Sequence, residues 1–294
     1  MPALQQGICI ADVERELARL RFEASGGGET PFLRTSVMTH VAWVSHDWLD
    51  AAHSALEGLA ERHPSRTVLL VPEPDAEEDG IDAAVSLECY PLLAADRKVC
   101  SEVIELHLRG ARALVPASIV MPLLVPGLPV FLRWRGQPPF GEEPFPQLVE
   151  LADRLIVDST EWPDLPDAYA ELAGVFEDTA VSDIAWARTS RWRRQLASLW
   201  PGIATVERIK VTGTAAQAHL LAGWLRARLG RDVSLEHEQA DRLRGVDVDG
   251  KPAPFPPGEA PDPSDLLSDE LDVFGRDRIY EDAAKAAALV QSRA

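Results

Sequence analysis

Thr67-Val68-Leu69-Leu70-Val71 is the run on which the fold turns. Its near-continuous apolar character, without alternation, describes a strand covered on both faces. Before it, Leu49, Ala52, Leu56 and Leu59 recur at helical spacing between Asp47 and Arg62, and Thr35 to Val44 is rich in β-branched residues. Strand, helix and strand in that order make a βαβ unit.

Reading outward, Ala83 to Tyr90 and Val99 to Leu108 alternate more and are expected to form an antiparallel addition to the same sheet, with Leu92 to Lys98 as a loop. Leu128 to Leu132 and Arg154 to Val157 are further buried strands, set among short helices near Ala111 to Val120, Phe145 to Leu151 and Asp164 to Val175. Polar and aromatic residues follow them at Arg133-Trp134-Arg135-Gly136 and Asp158-Ser159-Thr160-Glu161-Trp162, where open α/β sheets place ligand crevices. At the N-terminus, Ala11 to Ala24 forms an amphipathic helix, and Ser25-Gly26-Gly27-Gly28 is a linker, since no strand precedes it as a phosphate cradle requires.

Ser182 to Trp200 reads as one helix, with Ser182 as cap, Asp183 in its first turn and Pro201-Gly202 as its stop. Ile184, Ala185, Trp192, Leu196 and Leu199 share its core side; Trp186, Ser190, Arg193, Arg194 and Ala197 fall largely outward. Trp beside Arg on an outward face is the composition of an interface centre, although a surface aromatic packed under a neighbouring element gives the same pattern.

After Pro201, Thr205 to Thr212 is a strand, Gly213-Thr214 a turn and cap, Ala215 to Leu229 a helix and Val233 to His237 a second strand. Asp249-Gly250 marks a hairpin, Lys251 to Ser264 a proline-rich connector, and Asp265 to Ser292 a helix interrupted near Gly275, with Ile279, Ala283, Ala287 and Val290 on one side. The expected fold is α/β: a mixed sheet with βαβ units and flanking helices, plus a smaller C-terminal α/β domain. The expected divisions are an N-terminal helix and linker at 1–33, an α/β domain at 34–200 and the smaller domain at 201–294.

With 29 Lys and Arg against 47 Asp and Glu, the net charge of −18 repels phosphate backbones and anionic lipid, so neither nucleic acid nor membrane is an expected partner. No apolar run reaches the roughly 18 residues that span a bilayer, and the first residues lack a secretory pattern. With three cysteines in the chain, a cytoplasmic location is expected. Cys89 and Cys100 either pair under oxidation or serve as small buried hydrophobes.

No dinucleotide fingerprint, metal-ligand spacing or nucleophile elbow is present, so no catalytic, cofactor or metal residue is assigned. Gly245 to Pro252 imitates a phosphate loop but lacks its hydroxyl and its following helix. His63-Pro64-Ser65-Arg66 could bind an anion through His63 and Arg66, or could simply end a helix with Arg66 in a surface pair.

Four blocks in order, His63-Pro64-Ser65-Arg66, Leu124 to Val130 leading to Arg133-Trp134-Arg135-Gly136, Ile156-Val157-Asp158-Ser159, and Asp183 to Arg188 with Trp192-Arg193, resemble the glucose-6-phosphate dehydrogenase assembly protein family, OpcA. Asp277-Arg278-Ile279-Tyr280-Glu281 matches the family's C-terminal stretch. The resemblance runs from about Arg34 to about His237 and over the last helix, while Gly245 to Ser264 is shorter than in the family. It implies a non-catalytic partner that binds glucose-6-phosphate dehydrogenase and promotes its active oligomeric form, in the oxidative pentose phosphate pathway. Trp134, Arg135, Trp162, Trp186, Arg188, Trp192 and Arg193 are then expected in or beneath the functional surface, Arg188 and Trp192 as supports. The alternative is an enzyme or sensor that binds a sugar phosphate or nucleotide at the strand ends through Arg66, Arg133 or Arg135 and the Gly213-Thr214 helix start.

Overall fold

The expected βαβ unit is present, and its strands are the centre of the larger sheet. The structure is a computed structural model, and it describes residues 4–24, 36–59, 62–91, 98–258, 263–273, 275–290 and 292–293. The Ser25 to Gly28 linker and the loop from Leu92 to Arg97 lie outside the described residues. Contacts divide the chain into two compact units, 1–155 and 156–294.

In the first unit α1 (Ile10–Ala24) precedes β1 (Met38–Trp43), α2 (Leu49–Leu59) and β2 (Ser65–Glu73). Then come β3 (Gly80–Pro91), β4 (Lys98–Arg109), α3 (Pro116–Val120), β5 (Val130–Trp134) and α4 (Phe145–Val149). The strand β6 (Arg154–Val157) carries the boundary between the units. β1 pairs in parallel with both β2 and β5, and β2 with β4, so among β1 to β5 the edge strand β3 is the antiparallel one. That corrects the sequence expectation, which made β4 antiparallel as well. Val68, Leu69, Leu70 and Val71 are fully buried, as a strand covered on both faces requires. Cys89 and Cys100 face each other across β3 and β4 and are joined by a disulfide. The free edge of β3 is partly covered by the N-terminal residues: Gln5 exchanges both backbone hydrogen bonds with Ala83, at 2.7 and 2.9 Å, and Ile8 N–H donates to Ile81 O at 3.0 Å.

The second unit holds α5 (Asp167–Val175), β7 (Ala180–Asp183), α6 (Ile184–Arg188), α7 (Ser190–Ala197), β8 (Arg208–Gly213), α8 (Ala215–Leu229) and β9 (Ser234–Gln239). It continues with β10 (Gly245–Val248), β11 (Lys251–Pro252), α9 (Pro263–Leu271), α10 (Arg278–Ala287) and β12 (Ser292–Arg293). Strand order in the larger sheet is β3-β4-β2-β1-β5-β6-β7, and in the smaller one β11-β10-β8-β9-β12. Thr214 caps α8 with a full capping box to Gln217, and Asp249-Gly250 turns the β10/β11 hairpin with φ of 47° and 77°.

Two sequence expectations change. Residues 156–200, assigned to the first domain, fall in the second unit by their contacts, and of these Trp192 and Leu196 share a core with Ile209, Val211, Leu221, Leu225 and Leu235. The last helix buries Tyr280, Ala283, Ala284 and Ala287, while Ile279 is exposed. Its small residues allow α10 to lie against α8 at Gly223, where an added Cβ would collide with Ala283 O and come within 2.7 Å of Ala287 N.

Gly223→Ala is therefore expected to cost about 1–3 kcal/mol from overpacking, although helix propensity alone favours Ala by about 1 kcal/mol. Thermal unfolding followed by circular dichroism checks this; an unchanged or raised midpoint would mean the helices adjust freely.

Candidate functional site

The stretch read as one helix is three elements. Ser182 belongs to β7, Asp183 is the cap of α6, and the helix breaks at Thr189 before α7. Trp186 is 4 % exposed: it keeps the side of the wheel it shares with Arg193, but α10 covers that side, so the packed-under-a-neighbour alternative holds for it. Its Nε1–H donates to Asp277 Oδ2 at 2.9 Å. The Arg193 guanidinium lies over the indole at 3.4 Å, and burial pulls its pKa down to about 10 against the favourable charge of Asp277. From Trp186 the contacts run on through Tyr280 (ring centres 5.8 Å apart) and Phe176 (5.7 Å) to the Lys285 ammonium 5.7 Å over that last ring. This column is internal to the unit.

Beneath it sits Asp183, 1 % exposed. Its Oδ1 accepts from the Ala185 and Ser159 amides at 2.8 and 3.0 Å, and its Oδ2 from Ser159 Oγ at 2.6 Å and the Tyr280 hydroxyl at 3.3 Å. Ser159 Oγ also meets the Tyr169 hydroxyl at 2.9 Å. Burial, and then the charge of Asp158, push the Asp183 carboxyl up to about 6 against the hydrogen bonds that favour its ionised form. Tyr169 and Tyr280 are likewise held well above the usual phenol range by burial and by Asp183. Asp158 accepts from Arg188 Nη1 at 2.8 and 3.0 Å and from Thr160 Oγ1 at 2.6 Å. Ser, Asp and Tyr at these distances resemble a proton-relay set, but Ser159 is 0 % exposed and its partners cap helices and turns. A reacting substrate has no access to it.

Of the other expected residues, Trp162 is buried against Tyr169, with ring centres 5.7 Å apart, and Trp192 packs against Phe255 at 5.5 Å. In the first unit Trp134 is buried in a stack with Trp43 (5.0 Å) and edge-on to Phe145 (5.1 Å), while the Arg135 guanidinium lies 4.3 Å over Trp48. Arg66 is no anion receptor: 3 % exposed, it bonds Glu102 at 2.7 Å, Glu14 at 2.7 Å and the Leu123 carbonyl at 2.8 Å. His63, 7 % exposed, lies too deep for a surface anion. Among the described residues no group of His, Cys, Asp and Glu could hold a metal ion, and no helix is long and apolar enough to cross a membrane. Asp183, Tyr169, Tyr280 and Trp48 were missed by the sequence assignment; the strand-to-helix junction at Asp183 was the signal available for the first.

Two measurements test this geometry. For Asp183 the folded value lies above the ordinary 3.8, so its contribution to stability is full below that value and declines as pH rises through about 6. The decline amounts to about 3 kcal/mol at 1.4 kcal/mol per unit. Asp183→Asn should accordingly flatten the urea-unfolding profile between about pH 4 and about pH 7 relative to the parent; parallel profiles would count against it. Trp186→Phe, which removes the Asp277 hydrogen bond and part of the arginine's platform, should cost about 1–3 kcal/mol of stability, read from denaturant midpoints.

Comparison with known proteins adds the family. Residues 56–174 match the model described as the glucose-6-phosphate dehydrogenase subunit N-terminal domain, and residues 179–254 its C-terminal domain. Proteins named OxPP cycle protein OpcA are similar to the chain: that of Nostoc punctiforme is 28 % identical over 195 residues, 62 % of this chain and 42 % of the relative. Those of Synechococcus elongatus (28 % over 186 residues, 58 % and 41 %) and Synechocystis sp. (27 % over 184 residues, 58 % and 38 %) match likewise. The matched part thus spans about two fifths of these curated relatives. With both family domains present in order over most of its length, the chain belongs to the OpcA family.

Proposed function

We propose that this chain is a non-catalytic partner of glucose-6-phosphate dehydrogenase that binds it and favours its active oligomeric form, in the oxidative pentose phosphate pathway and in the cytoplasm. The observation that carries the reading is the pair of consecutive family domains, both described as parts of a glucose-6-phosphate dehydrogenase subunit. The enclosure of the Ser159, Asp183 and Tyr169 group supports it, since these side chains serve the fold.

An activator acts only through unequal affinity for two states of its target; moving a 1:99 equilibrium to 99:1 needs about 5.5 kcal/mol of difference. With Trp186 and Trp192 inside the second unit, contact falls to exposed apolar side chains: Leu114 and Met121 in the first unit, Trp200 and Phe255 in the second. Trp134, Trp162, Trp186, Arg188, Trp192 and Arg193 shape the surfaces around them from below.

The reading predicts co-sedimentation with the dehydrogenase and a rise in its rate or oligomeric size as the ratio of the two proteins increases. Analytical ultracentrifugation and activity titration measure both. Unaltered sedimentation and rate at about tenfold molar excess, with both proteins folded, would sink it.

A further inference from the structure

We propose that His107 is a proton-operated latch in the first unit: doubly protonated, it holds Glu73 at the end of β2, and on losing one proton it lets that carboxylate go.

The latch is the centre of a chain of four side chains that crosses three elements. Glu73 Oε1 lies 2.7 Å from His107 Nδ1, His107 Nε2 lies 2.8 Å from Glu105 Oε1, and Glu105 Oε2 lies 2.7 Å from His53 Nε2. Glu73 ends β2, Glu105 and His107 stand two apart on one face of β4, and His53 belongs to α2. A carboxylate only accepts, so a ring with one against each nitrogen has to donate from both and carries two protons. Geometry thus selects the imidazolium form. Glu105, and after it Glu73, hold the His107 pKa above the usual histidine value against the burial that opposes charge. In return His107, and then His53, hold Glu105 below the usual carboxylate value, also against burial.

The other charges around His107 are already matched or face water. Asp82 stands opposite it on β3, and takes hydrogen bonds from Arg109, two residues along β4, at 3.3 Å and from the Gly7 amide at 2.9 Å. Arg112, in the turn after β4, is exposed, and α2 contributes His53. The second proton on His107 is therefore held by Glu73 and Glu105.

Loss of that proton has one outcome. The ring keeps a single N–H, and a bare nitrogen against a carboxylate sets two acceptors face to face. The Glu105 side chain is 10 % exposed and also bonded to His53, whereas that of Glu73 is 36 % exposed. Stranding the enclosed carboxylate costs more than releasing the other to water, so the remaining N–H stays with Glu105 and Glu73 swings out. The end of β2 then loses this tie to β4, while α2 keeps its own through His53.

The folded His107 value lies above the ordinary 6.5, so the latch stabilises fully below 6.5 and its contribution is lost as pH rises through the folded value. Glu105 lies below the ordinary 4.5, so its contribution is present above 4.5 and is lost as pH falls through the folded value. Between 4.5 and 6.5 the chain of four is closed.

Nitrogen-15 NMR of the histidine rings and urea unfolding of the full chain test the latch without any partner protein. At about pH 6 both ring nitrogens of His107 are expected to be protonated, and the ring is expected to titrate above 6.5. From this one proton, the unfolding equilibrium constant should rise by up to about tenfold per pH unit between the unfolded and folded values. Glu73→Gln places an amide beside Nδ1 that can donate to the bare nitrogen of the neutral ring. It should lower the His107 titration midpoint and shrink that rise, while the contribution of Asp183 is common to both proteins and cancels in their difference. Glu73 is partly exposed, and the titration of the parent needs no variant. A His107 that titrates at or below 6.5, a ring with a single N–H at about pH 6, or a rise of the same size in Glu73→Gln would overturn the proposal.

Discussion

A carboxylate enclosed without a cation of its own organises the second unit. Asp183 takes four hydrogen bonds from two amides and two hydroxyls, and those donors belong to the turn after β6, the start of α6 and α10. Such burial costs free energy, visible in a carboxyl pushed up to about 6, and is tolerable only because every partner is in place. The position of Trp186 follows. Asp183 caps the short helix that carries Trp186, Asp277 and Tyr280 of the last helix and its cap cover the indole, and Arg193 closes over it.

Elements whose signal is local were legible in the residues alone. The apolar run at Thr67 to Val71, the helix from Ala215 to Leu229 with its Thr214 cap, and the Asp249-Gly250 turn all stand where their patterns put them. The direction of β4 was not legible, because alternation marks a half-covered strand without saying which neighbour it takes. Nor was the burial of Trp186. A helical wheel separates the sides of a helix without saying which neighbours cover them, and the side that carries Trp186 is covered by Asp277 and Tyr280, far along the chain. The packing of α7 was hidden for a related reason: sequence order joins it to the strand before it, whereas its Trp192 and Leu196 join the core that follows.

The two kinds of Trp and Arg contact illustrate how the same residue types pack at different depths. Arg193 over Trp186 is enclosed and keeps its charge at neutral pH although burial draws its pKa down to about 10, so its substitution disturbs packing first. Arg135 over Trp48 stands where two strands end, with indole surface left to solvent. Composition is identical in the two cases; burial sets them apart.

The N-terminal residues along β3 have a further consequence. A twelve-residue strand at the end of a sheet is a template for a foreign strand, and lysine or proline usually discourages that pairing. Here Gln5 and Ile8 occupy part of the row instead, and the Gly7 amide donates to Asp82 at 2.9 Å. The leading segment thus acts as insulation, keeping the sheet from growing into a neighbour and leaving association to surfaces built for it.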